Sequence, residues 1–205
     1  MELTNDQSDA IKELINIGYG RAAGALSELT GHRIALEVPE VAIHPIADMG
    51  RVLEQVLGSS IASVNQVFSG SLSGNALLLL DESSALALSQ LLSDGRPSET
   101  FDSNAREIIT EVGNILLNAC LGVFGNLLCI RISFTVPKLS VDSSTRLISG
   151  LAEMAEEKME YALMVHTRFH VKSRNVTGFL VIVLGIASLD RLTKELKNWE
   201  RRSLG

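Results

Sequence analysis

Residues 13–16 read Glu13-Leu14-Ile15-Asn16, and Pro39 follows after 22 intervening residues. Residues 111–114 read Glu111-Val112-Gly113-Asn114, and Pro137 follows after another 22. Each glutamate has an acidic residue four positions before it, Asp9 in the first copy and Glu107 in the second. A repeat of apolar residues would speak only of packing. This one repeats polar residues, so the chain reads as carrying two copies of a site.

Working outward, residues 6–29 have a helical period. Ile11, Leu14, Ile15, Gly18, Ala22, Ala25 and Leu29 fall on one side at about 100° per residue. Thr4 with Gln7 three residues later predicts a capping box, and Gly31 predicts the stop. Residues 33–38 then read as a strand ending at Pro39. Two further strands are expected over 60–69 and 72–80, and a helix over 82–93 closed by the Asp94-Gly95 turn. The second half repeats this order: a helix over 103–127 capped by Asp102 or Ser103, and a strand over 129–136 ending at Pro137. Strands follow over 160–171 and 176–184, and a helix over 189–199. A shift of 98 positions superposes the first helix and strand of each half, and a shift of 104 superposes residues 71–81 on 175–185. The six extra residues are expected around 149–161.

Each half has too few strands to bury its own sheet and helices. The expectation is therefore an α+β fold, internally duplicated, with both halves in one mixed or antiparallel sheet. Its two long helices would be related by a pseudo-two-fold axis. The chain 1–205 reads as one domain made of repeats of about 1–97 and 98–205, with their boundary between Ser93 and Ser103.

A helical wheel with Asp9 at zero puts Glu13 at about 40°, Asn16 at about −20°, Gly20 at about 20° and Ala23 at about −40°. All lie on one narrow stripe opposite the apolar face, so the stripe faces solvent. Beyond Asn16 it becomes small, leaving a floor on which a partner can lie close. Glycine within a helix costs about 1 kcal/mol relative to alanine, so Gly20 needs a reason, either close approach of a partner or tight internal packing. Stacked carboxylates at i and i+4 repel mildly and gain from a visiting cation. One such stripe is an ordinary solvated face; two at identical spacing are not.

Composition limits the partners. The net charge of −6 argues against general nucleic-acid binding, which needs a basic stripe. Two cysteines, Cys120 and Cys129, are too few for a disulfide framework and read as buried thiols. The N-terminus has no secretory pattern. The apolar run 178–189 is too short to span a bilayer and reads as a buried strand entering a helix, so a cytoplasmic protein without membrane insertion is expected. Gly18, Gly20 and Gly24 imitate a dinucleotide fingerprint, but that motif requires a strand-to-helix turn and these lie in mid-helix. His166 and His170 are spaced for a metal on a helix, but their segment alternates as a strand. His32 and His44, placed in loops, have no ligand-spaced company. Arg201 and Arg202 read as part of a solvated tail.

The pattern acid-x₃-Glu-x₂-Asn-x₂₂-Pro resembles the signature of the CheC/CheX/FliY phosphatases of bacterial chemotaxis. The flanking NIGYGRAAGALSELTG and RIALEVPEV are similar to CheC, the two-site member of that family. Two sites disfavour CheX, which has one, and the lack of an appended FliN-like domain disfavours FliY. The resemblance implies hydrolysis of the aspartyl phosphate of a CheY-like response regulator. By that resemblance Asn16 and Asn114 orient the attacking water, and Glu13 and Glu111 pair with the receiver's lysine. Asp9 and Glu107 add to the rim, and Gly20 lets the partner approach. No cofactor or metal of the protein's own is implied, since Mg²⁺ belongs to the receiver. The resemblance also allows a CheD-type deamidase as a partner, and the alternative is a non-catalytic adaptor that binds a receiver, a CheD-type deamidase or the flagellar switch. The second copy departs from the first, with Asn118 in place of Gly20 and Leu116 in place of Gly18. Both sites are expected to be competent, with the first the more intact.

Overall fold

Helix α1 (Asn5–Thr30) begins where the sequence predicts. The Thr4 hydroxyl accepts from the Gln7 N–H, and the Gln7 carboxamide accepts from the Thr4 N–H at 2.9 Å. This reciprocal pair satisfies two amide donors that no helical carbonyl can reach. The helix ends at Gly31, which is left-handed at φ 64°. The computed structural model describes residues 4–38, 40–93, 99–154, 160–171 and 174–203.

The first half continues with β1 (Ile34–Glu37), β2 (Val41–Pro45), α2 (Ile46–Leu57), β3 (Ile61–Gly70), β4 (Gly74–Asp81) and α3 (Glu82–Leu92). The second half follows the same order with α4 (Ser103–Leu127), β5 (Ile132–Phe134), β6 (Lys138–Asp142), α5 (Ser144–Met154), β7 (Tyr161–Val171), β8 (Arg174–Leu184) and α6 (Ile186–Ser203). The Asp102 carboxylate caps α4 by accepting from the Ala105 N–H at 2.9 Å.

Among the described residues, all eight strands lie in one sheet and every pairing is antiparallel. The path runs β1-β7-β8-β4-β3-β5, with β2 also on β7 and β6 also on β3. Each half therefore lends its two short strands to the other half's long strand, and β4 against β8 joins the halves at the centre.

Both faces of this sheet are covered, which explains the unbroken apolar run of β4. Leu78 and Leu80 face the main core, together with α1, α4, α3 and α6, while Leu77 and Leu79 face a second core closed by α2 and α5. α4 is long and apolar enough to cross a membrane by length and composition, but half of its apolar stretch is buried inside the protein. It packs against α1, α3 and the sheet, as a core helix does.

Several local expectations need correction. The sequence pattern marks no element at β2, α2, β6 or α5, which the structure adds. The strand expected over 129–136 shrinks to β5, because Cys129 is left-handed at φ 56° in the turn after α4. Cys129 is exposed rather than buried, and only Cys120 lies in the core. His44 lies in β2 and not in a loop. Pro137 sits buried in the link between β5 and β6, while Pro39 lies outside the described residues. So do 94–98, within the expected boundary, and 155–159, within the expected six-residue excess.

Candidate functional site

The two signature helices lie side by side on the same face of the sheet. Their close approach has a residue-level cause. A Cβ on Gly18 would stand 3.1 Å from the Cys120 backbone, so glycine lets α1 press onto α4. Gly18 therefore belongs to the helix pair and not to the exposed stripe, and Leu116 in the equivalent position is buried as well. Burial pushes the Cys120 thiol pKa well above its usual range. On α4, a Cβ on Gly113 would meet the Val64 side chain at 2.5 Å, which seats that helix on β3.

Tyr19 fixes the rotation of α1. Its ring is fully buried and its hydroxyl hydrogen-bonds the Thr167 hydroxyl on β7. Burial, and then the neighbouring Cys120, raise the Tyr19 pKa well above normal, against the lowering effect of the Thr167 bond. With Tyr19, Leu14, Ile15 and Ala22 turned inward, helical geometry sends Asp9, Glu13, Asn16 and Gly20 outward, and all four are exposed. A Cβ on Gly20 would meet nothing within 4 Å, so the floor beside Asn16 is open. Asp9 lies 3.9 Å from Lys12, an exposed pairing that contributes little. The Asn16 carboxamide makes no hydrogen bond with the side chain or backbone of another described residue. It is presented to solvent with both donor and acceptor available.

The second stripe differs. Glu107 and Glu111 are exposed, but Asn114 and Asn118 are half-buried. Asn114 Nδ2 reaches Glu111 Oε2 at 3.5 Å, and Asn118 Nδ2 donates to Asn114 Oδ1 at 2.8 Å. Gln66 Nε2, rising from β3, donates to Asn118 Oδ1 and to the Thr135 carbonyl, both at 2.8 Å. The acceptor of Asn114 is thus already engaged by a chain of amides anchored in the sheet. The sequence pointed to Asn118 only as bulk on the floor. The contribution of Gln66 carries no sequence signal, because it comes from a different element.

Glu107 and Glu111 stand on a ridge between two depressions. One, of about 510 Å³, opens toward the ends of α1 and α3; the other, of about 350 Å³, lies toward Arg106 and Leu139. Among the described residues, no group of three or more His, Cys, Asp or Glu could hold a metal ion. His166 stacks on Phe179 with centroids 5.0 Å apart, and His170 lies 3.0 Å from Glu37, so both histidines are engaged within the fold.

No family model matches the chain. It is 25% identical over 170 residues to a protein named CheC1 from Halobacterium salinarum, covering 81% of this chain and 84% of that one. It is 26% identical over 174 residues to the CheY-P phosphatase CheC of Bacillus subtilis, covering 80% of each. Among solved structures, Thermotoga maritima FliY superposes with a TM-score of 0.76 at 21% identity, covering 98% of this chain and 99% of that one. With the signature carried on both long helices, the chain is similar in sequence to proteins named CheC and shares the α+β architecture of FliY.

Proposed function

We propose that the protein hydrolyses the aspartyl phosphate of a CheY-like response regulator, with α1 as the principal working surface. The observation that carries this reading is Asn16. It offers an unengaged carboxamide one turn after an exposed glutamate, beside a glycine that leaves room for a partner. Glu13 pairs with the receiver's lysine and sets the docking register, with Asp9 extending the negative rim. Asn16 enters the receiver's site, where its carbonyl oxygen accepts a hydrogen bond from water and aligns it with phosphorus. A neutral amide does this without repelling the phosphoryl oxygens. The water oxygen bonds to phosphorus as the bond to the aspartyl oxygen breaks, yielding inorganic phosphate and a free carboxylate. The receiver holds the Mg²⁺, and this protein supplies positioning. Such a partner places the protein in the cytoplasm.

The second stripe supports a related role. Glu107 and Glu111 remain available for docking, but Asn114 is tied to Asn118, so α4 holds a receiver better than it turns one over. The alternative, a non-catalytic adaptor for a receiver, a CheD-type deamidase or the flagellar switch, extends that property to both stripes.

Phosphate release from an acyl-phosphorylated receiver tests the reading. Asn16→Ala is expected to lower turnover by about 100-fold and Asn114→Ala by less than about threefold, with the double substitution near the receiver's own decay. Unchanged decay in the presence of the unsubstituted protein, beside measurable binding, establishes the adaptor instead.

A further inference from the structure

The two halves are not equivalent at the helix that follows each central strand pair. α3 has 11 residues, whereas its counterpart α6 has 18. The two additional turns of α6 carry Trp199 onto the edge of the main core and bring Arg202 to the end of α4. There Arg202 Nη2 donates to the Leu127 carbonyl at 3.1 Å. In the first half, α3 stops at Leu92, and the equivalent place is the open groove of about 510 Å³. Leu26, Leu29, Leu92 and Ile108 form its apolar wall, and Glu107 and Glu111 form its rim. Leu29 is 60% exposed and, under the 98-residue shift, is the counterpart of Leu127.

We propose that this groove binds an amphipathic helix of a partner protein. The helix presents an apolar face ending in an aromatic residue, with an arginine or lysine within the next turn. The chain's own α6 shows the form of such an occupant, because its last two turns fill the pseudo-equivalent place. Charge sets the polarity of the fit. The last turn of α1 has no basic residue of its own, so its carbonyl end attracts a cation, and the two rim glutamates add to that attraction. The apolar wall supplies the burial that an exposed Leu29 lacks in the free protein. This goes beyond hydrolysis: it concerns which segment is held beside α4, whether or not phosphate is present.

The test uses the full chain and a fluorescein-labelled peptide with the sequence of residues 186–203, without any phosphoprotein. Saturable anisotropy binding is expected. Leu29→Glu in the protein should weaken it by roughly tenfold or more, and Glu107→Lys should do likewise. Trp199→Ala in the peptide should abolish it, and added salt should weaken it. Both protein positions are exposed, and unchanged thermal midpoints confirm intact folding. Absence of binding up to about 1 mM peptide overturns the proposal, as does binding indifferent to Leu29→Glu. Concentration-dependent dimerisation that Leu29→Glu abolishes also overturns it, by assigning the groove to a second copy of this chain. Because hydrolysis is not read, failure here leaves the phosphatase reading intact, and the converse also holds.

Discussion

Two asparagines at matching positions have different freedom, and the cause is a single side chain. Where α1 has Gly20, α4 has Asn118, which donates to the Asn114 carbonyl. Replacing Asn118 by alanine removes that donor, while Gln66 keeps its bond to Thr135. A hydrogen bond of this type contributes about 1 kcal/mol, equivalent to about fivefold in rate. In an Asn16→Ala background, Asn118→Ala is therefore expected to raise phosphate release by about fivefold; no increase would mean that Asn114 is not held back by this contact. The stripes themselves were legible because helical geometry alone places Asp9, Glu13 and Asn16 on one outward line. The lock on Asn114 was not, because one of its members, Gln66, comes from β3, far from the motif in sequence.

At the scale of elements, local signals worked where the element carries its own ends. Thr4 with Gln7, Gly31 and Asp102 fix α1 and α4 to within a residue or two. The missing elements had weaker marks. β2 has five residues and ends in Pro45, and Gly50 and Gly150 lower the helix propensity of α2 and α5. These helices do show an apolar period, as in Met49, Leu53 and Leu57, but only the second core gives it a purpose. The strand predicted over 129–136 misread alternation in a segment whose Phe134 and Val136 are exposed. At its start, Cys129 holds a left-handed backbone that costs an L-residue about 1 kcal/mol. Cys129→Gly is expected to recover about 0.5–1 kcal/mol, seen as a higher denaturant midpoint with an unchanged slope.

At the scale of the whole molecule, the exchange of short strands decides stability. β1 lies on β7, held in part by Glu37 between His170 at 3.0 Å and Arg168 at 3.5 Å. The close His170 contact, helped by the Arg168 guanidinium and opposed by desolvation, holds the Glu37 carboxyl below its usual range. A depressed carboxyl stabilises the fold above its unfolded pKa, and the gain disappears as pH falls through the folded value. The difference in thermal midpoint between the natural protein and Glu37→Gln should thus be full above about pH 5 and vanish under acid conditions. A constant difference across that range would remove the charge from the explanation. The same exchange predicts that residues 1–97 and 98–205, made separately, remain without cooperative unfolding transitions and regain one when mixed. Two independent sharp transitions would contradict it. That both halves share one sheet could be argued from sequence, since neither has strands enough alone. The crossing of β1 and β2 onto β7 could not, because pairing partners leave no trace in a single chain.

The packing of Gly18 against Cys120 has a practical corollary. The molecule holds two thiols of opposite accessibility, one at the surface in the turn after α4 and one sealed where the signature helices meet. An alkylating reagent will modify Cys129 at once, whereas Cys120 can react only when α1 lifts from α4. The slower of the two labelling rates is therefore a built-in clock for the parting of those helices, and a partner that clamps them together will lengthen its period.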